Sequence, residues 1–159
     1  MDLRVGTGFN ARVLVDGRAL IVGGVTIPFA RGLDADVLMH AIGDALLGAL
    51  ALGDLAAHFA DDDPGWKGTD DRARLRHLVA LVQGRGYGVV NIDATVLGSA
   101  SLLAPFVGRM RDSIAIDLGC DTERVSVKAG TGQLAMMAGG EGMAAMASVL
   151  VARFPTSQN

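Results

Sequence analysis

Asp36, His40 and Asp44 stand four residues apart in a stretch from Asp34 to Asp54 that is otherwise rich in Ala and Leu. On a helix they form one polar stripe, with the imidazole flanked by a carboxylate a turn away on either side. A carboxylate beside an imidazole fixes its tautomer or holds it charged, and an imidazole so held works as a general acid, a general base or a metal ligand. The plain alternative is a core histidine satisfied by an aspartate. Arg12 adds a fixed positive charge suited to an anion or a developing oxyanion. It also reads as a strand arginine paired to Asp36 or Asp44 with no ligand involved. His40, Arg12, Asp44 and Asp36 are thus the candidate catalytic residues, with His40 as acid or base and Asp44 or Asp36 orienting it.

These residues need a helix and a strand to hold them. Asp34 or Asp36 caps the helix, Gly53 closes it, and nearly every face between is apolar. From the N-terminus, Leu3, Val5, Phe9, Ala11 and Val13 share one parity and Arg4, Gly6, Gly8, Asn10 and Arg12 the other, which predicts a strand with two unlike faces. Gly6 and Gly8 let another element approach the backbone, and Asn10 and Arg12 project from that same face. A site forms where this face meets His40. Asp16-Gly17 is a hairpin signal between Val13 to Val15 and Ala19 to Val22, followed by Gly23-Gly24 and the run Val25 to Pro28.

Further along, Asp61, Asp62 and Asp63 sit in a polar loop that reads as a solvated acidic turn or a cation- or hydroxyl-binding loop. Thr69 opens a second helix with Asp70 and Asp71 in its first turn, and it stops at Gly84. Val90 to Val96 alternates as a strand, Pro105 starts a third helix ended by Gly119, and Val125 and Val127 mark another strand. The loop from Gly130 to Gly142 is glycine-rich but has neither the P-loop lysine nor the dinucleotide fingerprint. Met143 to Val151 is apolar on both parities, so periodicity leaves it as either a buried helix or a covered strand. Residues 1–154 read as a single domain and 155–159 as a tail.

Composition narrows the function classes. The chain has 159 residues, 50% of them apolar, and a net charge of -3, which leaves no electrostatic footprint for nucleic acid or an anionic membrane. Its one cysteine, Cys120, rules out an internal disulfide framework and a thiolate zinc cage and fits a reducing, cytoplasmic setting. The apolar helix is too short and too often punctuated to span a bilayer. So apolar a chain with 22 glycines and few aromatics suggests a surface covered by other subunits.

Gly6-x-Gly8-Phe9, Gly23-Gly24-Val25-x-Ile27-Pro28, Asp36-Val37-x-x-His40-Ala41-x-x-Asp44-Ala45-Leu46-Leu47-Gly48-Ala49, Leu52-Gly53-Asp54, Lys67-Gly68-x-Asp70, Asn91-x-Asp93-x-Thr95, Asp117-Leu118-Gly119-Cys120, Val127-Lys128-Ala129 and Gly140-Glu141-Gly142 run in order along the chain. Together they resemble the 2-C-methyl-D-erythritol 2,4-cyclodiphosphate synthase family of isoprenoid biosynthesis. The resemblance implies an α+β fold, a mixed sheet with helices packed on one face, and a homotrimer with small-molecule sites between neighbouring subunits. It makes the last apolar run a strand. The implied activity is a lyase reaction: a substrate phosphate attacks the β-phosphate of a cytidine diphosphate-methylerythritol phosphate, closing a cyclic diphosphate and releasing CMP.

The same resemblance implies zinc, held by an Asp-x-His pair on the first strand and by the helix histidine, and usually magnesium. Here the pair is Asn10-Ala11-Arg12, and only His40 remains. The second-metal run is Gly130-Thr131-Gly132-Gln133, with a neutral amide for a carboxylate. Ser101-Leu102 replaces a Pro-Lys segment of the nucleotide pocket, a His-Ser pair falls in a deletion between Gly32 and Asp34, and Gly139 replaces an arginine. Asn10, Asp54, Asp61, Asp63, Leu102, Leu103, Thr131 and Gln133 are the candidate substrate-binding residues, and the expectation is that no metal ligand set and no cofactor survive. Met136 and Met137 add to an apolar pocket or simply fill core. The leading expectation is a family trimer repurposed as a metal-independent cyclase, lyase or isomerase acting on a small metabolite, polar or apolar, at the subunit interface. The alternatives are a non-catalytic trimer that binds a ligand or partner, and the family's own synthase reaction.

Overall fold

The computed structural model describes residues 2–28, 30–60, 62–131 and 141–154. In chain order the elements are β1 (Leu3–Val13), β2 (Leu20–Val22), β3 (Val25–Ile27), α1 (Val37–Ala49), α2 (Leu55–His58), α3 (Asp71–Gly84), β4 (Tyr87–Leu97), α4 (Ala100–Leu103), α5 (Val107–Leu118), β5 (Val125–Gly130) and β6 (Gly142–Arg153). Four strands form one sheet in the order β1-β6-β4-β5. The pairs β1/β6 and β4/β6 are antiparallel and β4/β5 is parallel, so the sheet is mixed and the fold is α+β. The run from Met143 is a strand, as the resemblance implies, and sits in the middle of the sheet.

β1 carries its small and polar parity inward. A Cβ on Gly6 would lie 1.8 Å from the Ala45 carbonyl oxygen and one on Gly8 1.9 Å from that of Ala41. Helix α1 therefore rests backbone on backbone against the strand, which only glycine permits. The apolar parity faces away: Leu3 is 51% exposed, Val5 67%, Phe9 52% and Val13 56%, and Met146 on the neighbouring strand is 53% exposed. Buried Leu38, Ile42, Leu46 and Leu47 of α1 fill the space between the sheet and the outer helices α3 and α5 with Leu75, Leu78, Met110 and Ile114.

The hairpin differs from the expectation. β2 pairs with β3 through Gly23 and Gly24, at φ 59 and 73, the two positive dihedrals that a tight two-residue hairpin turn requires. Asp16-Gly17 is only a turn after β1, where Val15 bridges Gly32. Among the described residues no helix is long and apolar enough to cross a membrane.

Candidate functional site

The inward face of β1 and the polar stripe of α1 meet in a cavity of about 250 Å³. One wall is polar, with Asn10, Arg12, His40, Asp44, Asp54 and Asp71, and the other is apolar, with Met39, Leu55, Phe59 and Leu78. This is the convergence expected where Asn10 and Arg12 approach His40.

The partners inside it are not those the stripe suggests. Asp36 does not turn towards the imidazole. It caps α1, its Oδ1 accepting from the N–H groups of Gly23, Leu38 and Met39 at 3.0–3.1 Å and its Oδ2 from Gly24 at 2.8 Å. The cap residue is the half-turn before the helix proper, so its side chain folds back over the free N–H groups instead of projecting along the helix face. Asp36 thereby ties α1 to the β2/β3 turn. Burial pushes its carboxyl up to about 6 against the pull of these donors.

His40 meets Asp71 instead, Nε2 to Oδ1 at 3.0 Å, with both side chains mostly buried. Asp71 opens α3, and its other oxygen accepts the Asp36 N–H at 2.8 Å. Burial raises the Asp71 carboxyl, but the hydrogen bonds from His40 and the Asp36 N–H and the charge of Arg74 together hold it below the ordinary value. Asp71 is a pocket residue that sequence pattern alone does not single out. Its only local signal was a negative charge in a first helical turn, which the helix dipole alone explains.

Arg12 pairs with neither Asp36 nor Asp44. Its Nε donates to Asn10 Oδ1 at 3.2 Å and Nη1 lies 3.3 Å from Asp34. Asp44 accepts the Leu55 N–H at 2.8 Å and Asp54 that of Ala57 at 3.0 Å, so both lining carboxylates also fix the short helix α2. Phe59 packs edge-on to Trp66, ring centroids 4.6 Å apart, and Trp66 to His77 at 4.8 Å. Asp71 and Arg74 also border a second cavity, about 720 Å³, with Arg18, Thr26, Asp34 and Thr69.

Other expected contacts lie elsewhere. Asp63 is exposed and accepts the Gly65 N–H at 2.8 Å within its own turn. Leu103 is fully buried in the core, so it is not a pocket wall of this subunit, while Leu102 is half-buried beside it. Thr131 is exposed at the end of β5. Asp61, Gln133, Met136 and Met137 lie outside the described residues.

The family model described as the YgbB family matches residues 3–152. The chain belongs to this family. It is 51% identical over 158 residues to a 2-C-methyl-D-erythritol 2,4-cyclodiphosphate synthase of Burkholderia thailandensis, covering 96% of this chain and 98% of that one. A synthase of the same name from Geobacter metallireducens is 51% identical over 156 residues, covering 95% and 99%. A solved structure of 2C-methyl-D-erythritol-2,4-cyclodiphosphate synthase in a CDP-bound form superposes with a TM-score of 0.86 at 31% identity, over 94% of this chain and 100% of that one.

Membership overturns the expectation that the chain has no cofactor. Relatives half identical over nearly their full length are named synthases, and the family's activity is the one tied above to zinc and magnesium. What this chain changes is the donor set. Asn10 Oδ1 is taken by Arg12, and a guanidinium has no lone pair to give. Of the three positions that the resemblance assigns to zinc, His40 alone carries a side chain of the expected type. The histidine itself is arranged as metal-bound histidines usually are, one ring nitrogen held by a carboxylate.

Proposed function

We propose that the protein is a cyclodiphosphate synthase of this family, closing a cyclic diphosphate on a cytidine diphosphate-methylerythritol phosphate with release of CMP. The observation that carries this reading is the match to relatives named for that activity at 51% identity over nearly the whole chain. It supports the family's own reaction over a repurposed cyclase.

The pocket supplies chemistry that such a substrate needs. Arg12 and Arg74 place positive charge where phosphate oxygens would lie, and fixed charge aimed at a reacting phosphoryl group is what phosphoryl transfer chiefly draws on. Asp44 and Asp54 offer acceptors to substrate hydroxyls, and Met39, Leu55 and Phe59 an apolar wall for a carbon skeleton. His40 holds or moves a proton at its free ring nitrogen. The working unit is a homotrimer with its ligand between subunits. The outward apolar residues of β1 support this, because a patch of that kind marks an interaction surface.

A second reading, a family lyase acting on a different anionic molecule, is favoured by Arg12, which stands where the family has a histidine. CMP release by the purified protein, with zinc and magnesium supplied, separates the two. Release that falls about 100-fold in His40→Ala supports the synthase. No release retires it and leaves the altered lyase and a ligand-binding trimer, which a screen for binding with and without turnover distinguishes.

A further inference from the structure

Among the described residues, Asp36, Asp44 and Asp71 are the carboxylates on or beside the α1 stripe, and their oxygens are not equally free. Asp36 has both oxygens committed to backbone N–H groups. Asp44 accepts from Leu55. Asp71 alone meets the imidazole, with Oδ1 on His40 Nε2 and Oδ2 on the Asp36 N–H. We infer that Asp71 is the positioning residue of the site, keeping the proton of His40 on Nε2 and its lone pair on Nδ1. The inference rests on the reading that His40 works in this pocket, but the position of the proton is open to measurement without any turnover.

An ionised carboxylate only accepts, so Nε2 must donate to it, and in the neutral ring the lone pair then lies on Nδ1. The Asp36 N–H stops the carboxylate from rotating freely. Arg74, whose Nη1 is 3.5 Å from the same Oδ1, adds charge without displacing the imidazole. Arg12, Asp44 and Asp54 face the pocket from β1, α1 and the start of α2. Thus the acceptor is set by α3, its orientation by the first residue of the α1 cap, and the ring by α1.

The arrangement makes a sharp prediction for Asp71→Asn. An asparagine has one oxygen and one amide nitrogen. The Asp36 N–H needs the oxygen, so the amide nitrogen faces Nε2. Nε2 must then accept, and the ring proton moves to Nδ1.

Long-range proton–nitrogen correlation spectra of the full chain, with the His40 signals assigned by their loss in His40→Gln, read this directly. The expected result is Nε2–H in the wild type and Nδ1–H in Asp71→Asn. Nδ1–H in the wild type, or unchanged ring-nitrogen shifts in a folded Asp71→Asn protein, overturns the inference. Should Asp71→Asn not fold, Asp71→Ser, whose hydroxyl both donates and accepts, is expected to give a mixture of tautomers, and an unchanged spectrum overturns the inference there too. In the CMP assay Asp71→Asn should lower kcat about 10- to 100-fold with KM within about twofold. Absence of CMP release from the wild type would end the synthase reading and leave the tautomer result standing.

Discussion

The two faces of β1 invert the usual order of a strand at the edge of a core. The face that the helix covers holds Gly6, Gly8, Asn10 and Arg12, whereas the face left open holds Leu3, Val5, Phe9 and Val13. The covered face is written for two tasks that need little apolar bulk, backbone contact with α1 and polar groups in the pocket. The open face is an exposed apolar patch, the kind of surface that marks an interaction site. On the homotrimer proposed above, a single strand serves its own fold on one parity and the assembly on the other.

The inward face breaks first. In Gly8→Val the new Cβ would meet the Ala41 carbonyl oxygen at 1.9 Å, and a backbone atom within a helix cannot step aside. We expect loss of more than about 3 kcal/mol in urea unfolding, or no folded protein. A variant as stable as wild type would show that α1 does not sit on the strand.

Next is the cap that starts the covering helix. Asp36 holds its proton up to about 6 in the folded chain, against 3.8 as a free carboxyl. Between these values the folded state keeps a proton that the unfolded chain has released. Stability therefore falls as pH rises from about 4 to about 6, by up to about 3 kcal/mol, and this group adds no slope above that. Urea unfolding of wild type and Asp36→Asn across pH 4–7 reads the contribution of Asp36 together with its coupling to the neighbouring Asp71 carboxylate. Parallel curves would remove the burial argument.

The outward face should give the smallest loss per residue. Phe9→Glu places a charge on the open apolar patch without touching α1, so association is expected to weaken by about 2 kcal/mol or more, with the unfolding midpoint falling only by the stabilisation that association supplied. Sedimentation measures this, and an unchanged assembly would sever the outward parity from oligomerisation.

How much of this the sequence discloses depends on distance along the chain. The parity of β1, the apolar helix around His40 and the two glycines under it are local patterns, and the structure repeats them. Asp16-Gly17 and Gly23-Gly24 are both good turn signals, and only strand pairing decides which of them closes the hairpin. Asp36 carried two local meanings, cap and neighbour of His40, and the unpaired N–H groups of the helix start claimed it. Asp71 reaches His40 from 31 residues away, where no periodicity connects the two. Asn10 and Arg12 were legible as pocket residues because strand parity aims them, but the Asp34 partner of Arg12 was not.

Trp66 is the only tryptophan in the chain, and it stands edge-on against Phe59, whose ring lines the pocket. The protein therefore carries its own optical reporter within one aromatic contact of the site. Ultraviolet emission from this indole should respond when a ligand displaces Phe59 or excludes water beside it, so occupancy can be titrated on unlabelled protein.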